Sequence, residues 1–224
     1  MWCIPPKQDA AFVAQMEQVL EVYKRPYDAK HPVVCMDEQP KQLIAETRKP
    51  VPTAPGQPTR VDYEYAREGV CNMWMFAQPL GKWRATPVTA TKTAKDWAQQ
   101  VRRMVDDPRF SGAERITLVC DNLNTHTIAA LYQAFEPAEA LRIAQKLELV
   151  HTPKHGSWLN VAECELSALT RQCLDRRIAN QETVASEAQA WSQERNQRQI
   201  GVDWQFTTDD ARIKLKQLYP NVIT

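Results

Sequence analysis

The chain predicts an α/β fold, with a mixed sheet flanked by helices on both faces. Three observations carry this expectation. Two short apolar runs, VVCM at 33–36 and ITLVC at 116–120, are continuous rather than alternating, the pattern of central strands buried on both sides. Strand-like runs alternate with amphipathic helical stretches along the chain, and two strand-like segments joined by the short turn QPLGK read as a hairpin, so the sheet is not all parallel.

Residues 9–24 open the chain with a helix that places Phe12, Met16, Val19, Leu20 and Tyr23 at helical spacing, with Asp9 available as its cap. His31-Pro32 ends it, and Val33 to Met36 form a strand that runs straight into Asp37. Between Leu43 and Tyr63, four prolines, Gly56 and several basic residues predict an extended surface loop. The hairpin strands follow at 70–77 and 83–88, then a helix at 93–105 with Trp97, Val101 and Met104 on one face. A fourth strand at 115–120 ends in Asp121. Helical stretches at 127–135 and 137–145 precede a fifth strand at 147–151. The remaining helices are expected at about 158–174 and 181–197, with a last one capped by Thr208 and ending near Tyr219-Pro220. No internal repeat or low-complexity tract occurs.

Bulk properties narrow the function classes. With 224 residues the chain suits one well-cored domain, and 28 Lys+Arg against 27 Asp+Glu give no direct sign of a nucleic-acid partner. Six scattered cysteines, none in a C-x-x-C pair, read as reduced thiols rather than a disulfide frame or zinc site. Only six glycines are present, and neither a P-loop nor a dinucleotide fingerprint occurs. No apolar run is long enough for a membrane span, and MWCIPPKQDA lacks the zones of a signal peptide, so a cytoplasmic protein is expected.

Three acids stand out. Asp37 and Asp121 each follow a buried-type strand, and ligand crevices of open α/β sheets lie outside the carboxyl ends of strands. If these strands are parallel neighbours, their backbones run about 4.8 Å apart and the carboxylates can share a cation. On the helix after Ser157, Leu159, Ala162, Leu166, Leu169 and Cys173 define the core-facing stripe, and Glu163 belongs to it. A carboxylate there is costly unless paired or bound to metal. Glu165 turns away from the stripe and is expected to be solvated. Glu38 points to the opposite side of the strand from Asp37 and is set aside. Taken singly, each acid is as ordinary as a turn, cap or ion-pair residue; together, hard oxygen donors suit magnesium, and two such ions suit phosphodiester chemistry.

Asp37-Glu38, Asp121-Asn122 with Thr125-His126, and the stretch TPKHGSWLNVAE ending at Glu163 resemble the catalytic domain of DDE transposases, of the bacterial insertion sequence 630 family within the mariner-like superfamily. The resemblance extends over nearly the whole chain. It implies an RNase H-like fold with a five-stranded mixed sheet, a helical lead-in at 1–30, a catalytic domain at 31–224 and a proline-rich insertion at about 43–66 that contacts a partner subunit or DNA. It implies that Asp37, Asp121 and Glu163 are the catalytic, metal-holding residues for two Mg²⁺ ions, with Mn²⁺ as a substitute. The implied reaction is hydrolysis at transposon ends, then strand transfer into target DNA at TA.

Asn160, Asn122 and His126 are the supporting residues on this reading. Asn160 stands one helical turn before Glu163, where it can orient that residue, touch substrate or bond the helix start. Candidates for a double-stranded DNA path are Lys92, Lys95, Arg102, Arg103, Arg171, Arg176, Arg177 and His155. Trp83 and Trp97 are expected to pack in the core. A homodimer in the DNA complex, a separately encoded helix-turn-helix partner, a nucleoid-associated location in a bacterium and no membrane contact complete the picture. The alternatives are another RNase H-like nuclease, acting on junctions or RNA–DNA hybrids, and a decayed or domesticated transposase that only binds DNA or a partner.

Overall fold

The computed structural model describes residues 7–48, 54–57 and 62–221. Helix α1 (Ala10–Tyr23) precedes β1 (Val33–Glu46), β2 (Tyr65–Gln78), β3 (Trp83–Ala85) and β4 (Val88–Thr89). Then come α2 (Ala94–Val105), β5 (Ile116–Cys120), α3 (Ile128–Ala134), α4 (Pro137–Gln145) and β6 (Leu147–His151). The chain closes with α5 (Val161–Leu169), α6 (Gln181–Gln197) and α7 (Thr208–Lys214). The sheet runs β3-β2-β1-β5-β6, with β4 also on β2. Strands β1 and β2 are antiparallel, whereas β5 lies parallel to both β1 and β6. The mixed α/β sheet expected from the sequence is thus present, with the last hairpin strand split in two by Thr86-Pro87 so that it counts six strands.

Strand alternation distributes side chains to two cores. Cys35, Met73, Met75 and Val119 face the side covered by α1, α5 and α6, while Val34, Met36, Trp74, Phe76 and Leu118 face α2, α3 and α4. Helix α1 belongs fully to the first core, with Met16 and Val19 completely buried and Asp9 Oδ1 accepting from Phe12 N at 2.9 Å. Trp83 and Trp97 are buried, as expected. Among the described residues the cysteines are free thiols, Cys164 exposed and Cys35, Cys71 and Cys120 buried; Cys3 lies outside the described residues. No helix of the described residues is long and apolar enough to cross a membrane.

Several expectations are corrected. Strand β1 does not stop at Met36 but continues to Glu46, inside the stretch read as loop. The cause is long-range pairing: residues 38–46 form an antiparallel ladder with β2 that local composition does not announce. Pro40 is tolerated because β5 pairs with β1 only as far as Cys35, so β1 beyond the active end is an edge strand. A register shift at Leu43/Ile44 is absorbed by Gly69 at φ 106°, and Ile44 N donates to Ile178 O at 2.8 Å, which closes part of the open edge. Of the proline-rich segment, residues 49–53 and 58–61 lie outside the described residues.

The helix expected at 158–174 is three pieces: a 3₁₀ turn at Ser157–Leu159, α5, and a π-helical turn at Thr170–Leu174. The last helix is capped by Thr207, not Thr208, through a capping box with Asp210. Glu165 is not solvated. Helix α5 is covered on a second side by α6 and β3, so a single apolar stripe misjudges its exposure. Glu165 is 2 % exposed, 3.0 Å from Arg84 Nε and 3.2 Å from Arg195 Nη2. Removing one partner strands a buried charge. Glu165→Ala is therefore expected to cost about 3–5 kcal/mol in urea denaturation, against less than about 0.5 kcal/mol for Ala at the exposed Glu194.

Candidate active site

The register of β1 with β5 pairs Cys35 with Val119, so two residues further on Asp37 stands level with Asp121. Parallel neighbours put the two backbones about 4.8 Å apart at this height. Asp121 leaves the sheet just past β5, where the chain turns towards α3. Asp37 is only 8 % exposed, and its Oδ1 accepts from Glu38 N at 2.8 Å.

Asn160 brings in the third acid. Its Oδ1 accepts from Ala162 N at 3.1 Å and so caps α5, while its Nδ2 donates to Met36 O at 2.8 Å and lies 3.5 Å from Asp37 Oδ2. One side chain starts the helix and ties that start to β1. Tyr23 fixes the same corner, donating to Leu159 O at 2.8 Å and accepting from Val161 N at 3.3 Å. Glu163, in the first turn of α5, then comes round to Asp37. Asn160 is fully buried, which makes it a structural tie rather than a substrate contact.

The three acids lie close enough to influence one another's charge. Burial, then the charges of Asp121 and Glu163, push Asp37 up to about 8. Glu163 is half-buried, and burial raises it as well; hydrogen bonding to Ser157 and Asp37 pulls the other way, and Asp121 adds repulsion. Such a cluster of hard oxygens, held together against its own charge, fits a divalent cation. A cleft of about 340 Å³ opens beside it, lined by Asp37, Glu163, Gln39, Ser167, Thr170 and Arg171. Arg171 is the one basic side chain among the described residues that line it.

The other expected residues are dispersed. Lys92 Nζ lies 3.5 Å from Glu38 Oε1, next to the acids. Lys95 is exposed in the first turn of α2, and Asn122 is exposed in the loop after Asp121. His155 is exposed at φ 64° in the turn before α5. Arg102 pairs with Asp106 and Glu139 across α2 and α4, and Arg103 Nη1 donates to Gln100. Arg176 pairs with Glu187, and Arg177 with Glu46 while stacking on Tyr65, which pins the base of the insertion. His126 is buried directly behind Asp121.

Glu38 was left out of the metal site on strand phase, and the structure adds a contact that phase alone does not reveal. It does face away from Asp37, yet its carboxylate is 3.4 Å from the His126 ring that touches Asp121. The neighbouring DE and DN-x-x-x-H segments held the signal, but only the return of the loop after β5 joins them.

The shift of Asp37 has a thermodynamic consequence. Its carboxyl titrates near 4 when unfolded and at about 8 when folded, so the stability from keeping it protonated is full below about pH 4 and is lost as pH rises towards 8. Denaturation in the presence of a chelator is expected to show a fall on the order of a few kcal/mol over that window. Asp37→Asn should flatten the profile; an equal fall in the variant places the titration elsewhere.

Residues 32–185 match the family model described as DDE superfamily endonuclease. No curated protein sequence matches the chain significantly. Among solved structures, the chain is similar to the Mos1 mariner paired-end complex with Mn, at 19 % identity and a TM-score of 0.58, over 88 % of this chain and 60 % of that one. The Mos1 transposase paired-end complex with left transposon end gives 19 % and 0.57 over the same shares. The Mos1 strand transfer complex gives 17 % and 0.56, over 84 % of this chain and 56 % of that one. The chain therefore spans about 60 % of the length of the first of these structures, and at this identity the likeness shows a shared RNase H-like fold. With a family match over most of its length, centred on the sheet that carries Asp37 and Asp121, the chain belongs to the DDE superfamily endonucleases.

Proposed function

We propose that this chain is the catalytic domain of a DNA transposase of the insertion sequence 630 and mariner-like kind. Its substrate is double-stranded DNA at transposon ends, its cofactor Mg²⁺ or Mn²⁺, two ions per site, and its second step transfer of the freed 3′-hydroxyl into target DNA at TA. The observation that carries this reading is the convergence of Asp37, Asp121 and Glu163 at one end of the sheet in an endonuclease family. In support, Mos1 complexes with Mn and with Mg have the same fold. Two copies of the chain acting on paired ends, and a helix-turn-helix partner that selects the ends, belong to the same proposal.

The residues divide the work. Asp37, Asp121 and Glu163 would hold the cations, which supply a more acidic bound water and neutralise charge on the phosphate when present. Burial and the charges of Asp121 and Glu163 favour the protonated form of Asp37, which would have to lose that proton to hold a cation. Asn160 keeps β1 and α5 in fixed relation, so the carboxylates need no rearrangement as charge develops. Arg171 borders the cleft on the side open to solvent, where it attracts a phosphate and offsets the acids.

Nicking of duplex DNA bearing the element's ends is expected to require Mg²⁺ or Mn²⁺ and to drop about 10³-fold or more in Asp37→Asn, Asp121→Asn and Glu163→Gln, a loss of roughly 4 kcal/mol in transition-state stabilisation. Undiminished nicking in these variants sinks the assignment, and preference for junctions or RNA–DNA hybrids over duplex ends points to another nuclease of this fold. Arg171→Ala should weaken DNA binding and lower the slope of log affinity against log salt by about one.

A further inference from the structure

On the face of the sheet away from Glu163 lies a buried group of side chains that the reaction outlined above leaves unused. After β5 the chain doubles back, with His126 N donating to Leu123 O at 3.0 Å and His151 Nε2 at 2.9 Å from the His126 carbonyl oxygen. The His126 ring, 1 % exposed, stacks on Trp97 with centroids 5.7 Å apart. Its Nδ1 is 2.5 Å from Asp121 Oδ1, and its Nε2 is 3.4 Å from Glu38 Oε2. The Glu38 side chain is 3 % exposed, and Lys92 Nζ sits 3.5 Å from its other oxygen.

Glu38, Asp121 and His126 place ligand-type atoms within 4.8 Å of one another, as a metal site does. The spacing argues against that use. Two donors on one small cation, each bonded at about 2.1 Å and near a right angle, stand about 3 Å apart. At 2.5 Å the ring nitrogen and the carboxylate oxygen are in direct contact, closer than two donors that share an ion. Both ring nitrogens, Asp121 Oδ1 and Glu38 Oε2 are buried and, among the described residues, make no well-aligned hydrogen bond, to one another or to a third group, so close contact and charge are what join them. Among the described residues, the acidic groups beside its two nitrogens are these two carboxylates.

We propose that Glu38 and His126 are positioning residues that brace Asp121, engaging its Oδ1 and leaving its second oxygen as the one offered to a cation. Trp97 backs the ring and Lys92 steadies the outer end. The inference rests on the reading of Asp121 as a metal-holding carboxylate. A one-oxygen ligand suits the octahedral preference of Mg²⁺ and Mn²⁺, whereas Ca²⁺ takes more oxygens and accepts both from one carboxylate. The brace therefore also sets which cation the site prefers.

Mn²⁺ binding to the full chain, read by electron paramagnetic resonance with Ca²⁺ as competitor, tests this. Asp121→Asn is expected to abolish binding. Glu38→Gln and His126→Gln should each weaken Mn²⁺ about 10–100-fold and shift the preference towards Ca²⁺, and the wild-type spectrum should carry no coupling from a coordinated nitrogen. Thermal unfolding checks that each variant folds, and the near-isosteric Glu38→Gln carries the test if His126→Gln does not. Wild-type affinity and preference in a folded variant, even one with a lowered melting temperature, overturns the brace, as does a histidine nitrogen bound to Mn²⁺. Wild-type binding in Asp121→Asn overturns instead the assignment of Asp121 to the metal site.

Discussion

The parallel register between β1 and β5 is the constraint on which the rest of the site depends. It is short, three residue pairs ending at Cys35 and Val119, and it lies in the middle of the sheet with both faces covered. Because side chains alternate, a slip of one residue would turn Asp37 to the other face and carry Cys35 out of its core. Packing on both faces therefore defends the alignment of two acids that repel each other. The apolar strands supply the stability that the charged end of the sheet consumes.

The third acid depends on a different kind of tie. Helix α5 has no hydrogen-bonded register with the sheet, so its placement rests on side chains at its start. Asn160 links it to Met36 O, Tyr23 links that corner to α1, and the buried Glu165 links its far side to β3 and α6 through Arg84 and Arg195. A buried ion pair contributes little net stability but fixes orientation, since each charge accepts few other partners. Glu163 is thus held from in front by an amide and from behind by an ionic lock two residues along the same helix.

Much of this was legible in the sequence. The continuous apolar runs VVCM and ITLVC marked the central strands, and their closing acids marked the active end, because a strand buried on both faces cannot alternate. Helical phase singled out Glu163, which does lie beside Asp37, but it misjudged burial, since Glu165 is the more buried of the two. What remained hidden depends on distant partners. Residues 43–46 read as loop, and 38–42 as no element, until β2 supplies the other half of their ladder, and Glu165 read as solvated until Arg84, eighty-one positions away in sequence, arrives beside it. The link from Glu38 through His126 to Asp121 was hidden for the same reason, since it crosses from one strand to the loop beyond its neighbour.

The length of β1 joins the acids to the outer arm of the sheet. From Asp37 to Glu46 it rises nine residue steps, about 30 Å at strand rise, first beside the cleft and then out along the arm it forms with β2. Arg177 clamps the outer end through Glu46 and Tyr65, and Lys41 is anchored to the carbonyl oxygens of Leu174 and Arg176 midway. The strand that carries Asp37 is thus tied, midway and at its outer end, to the segment that follows α5, the helix that carries Glu163.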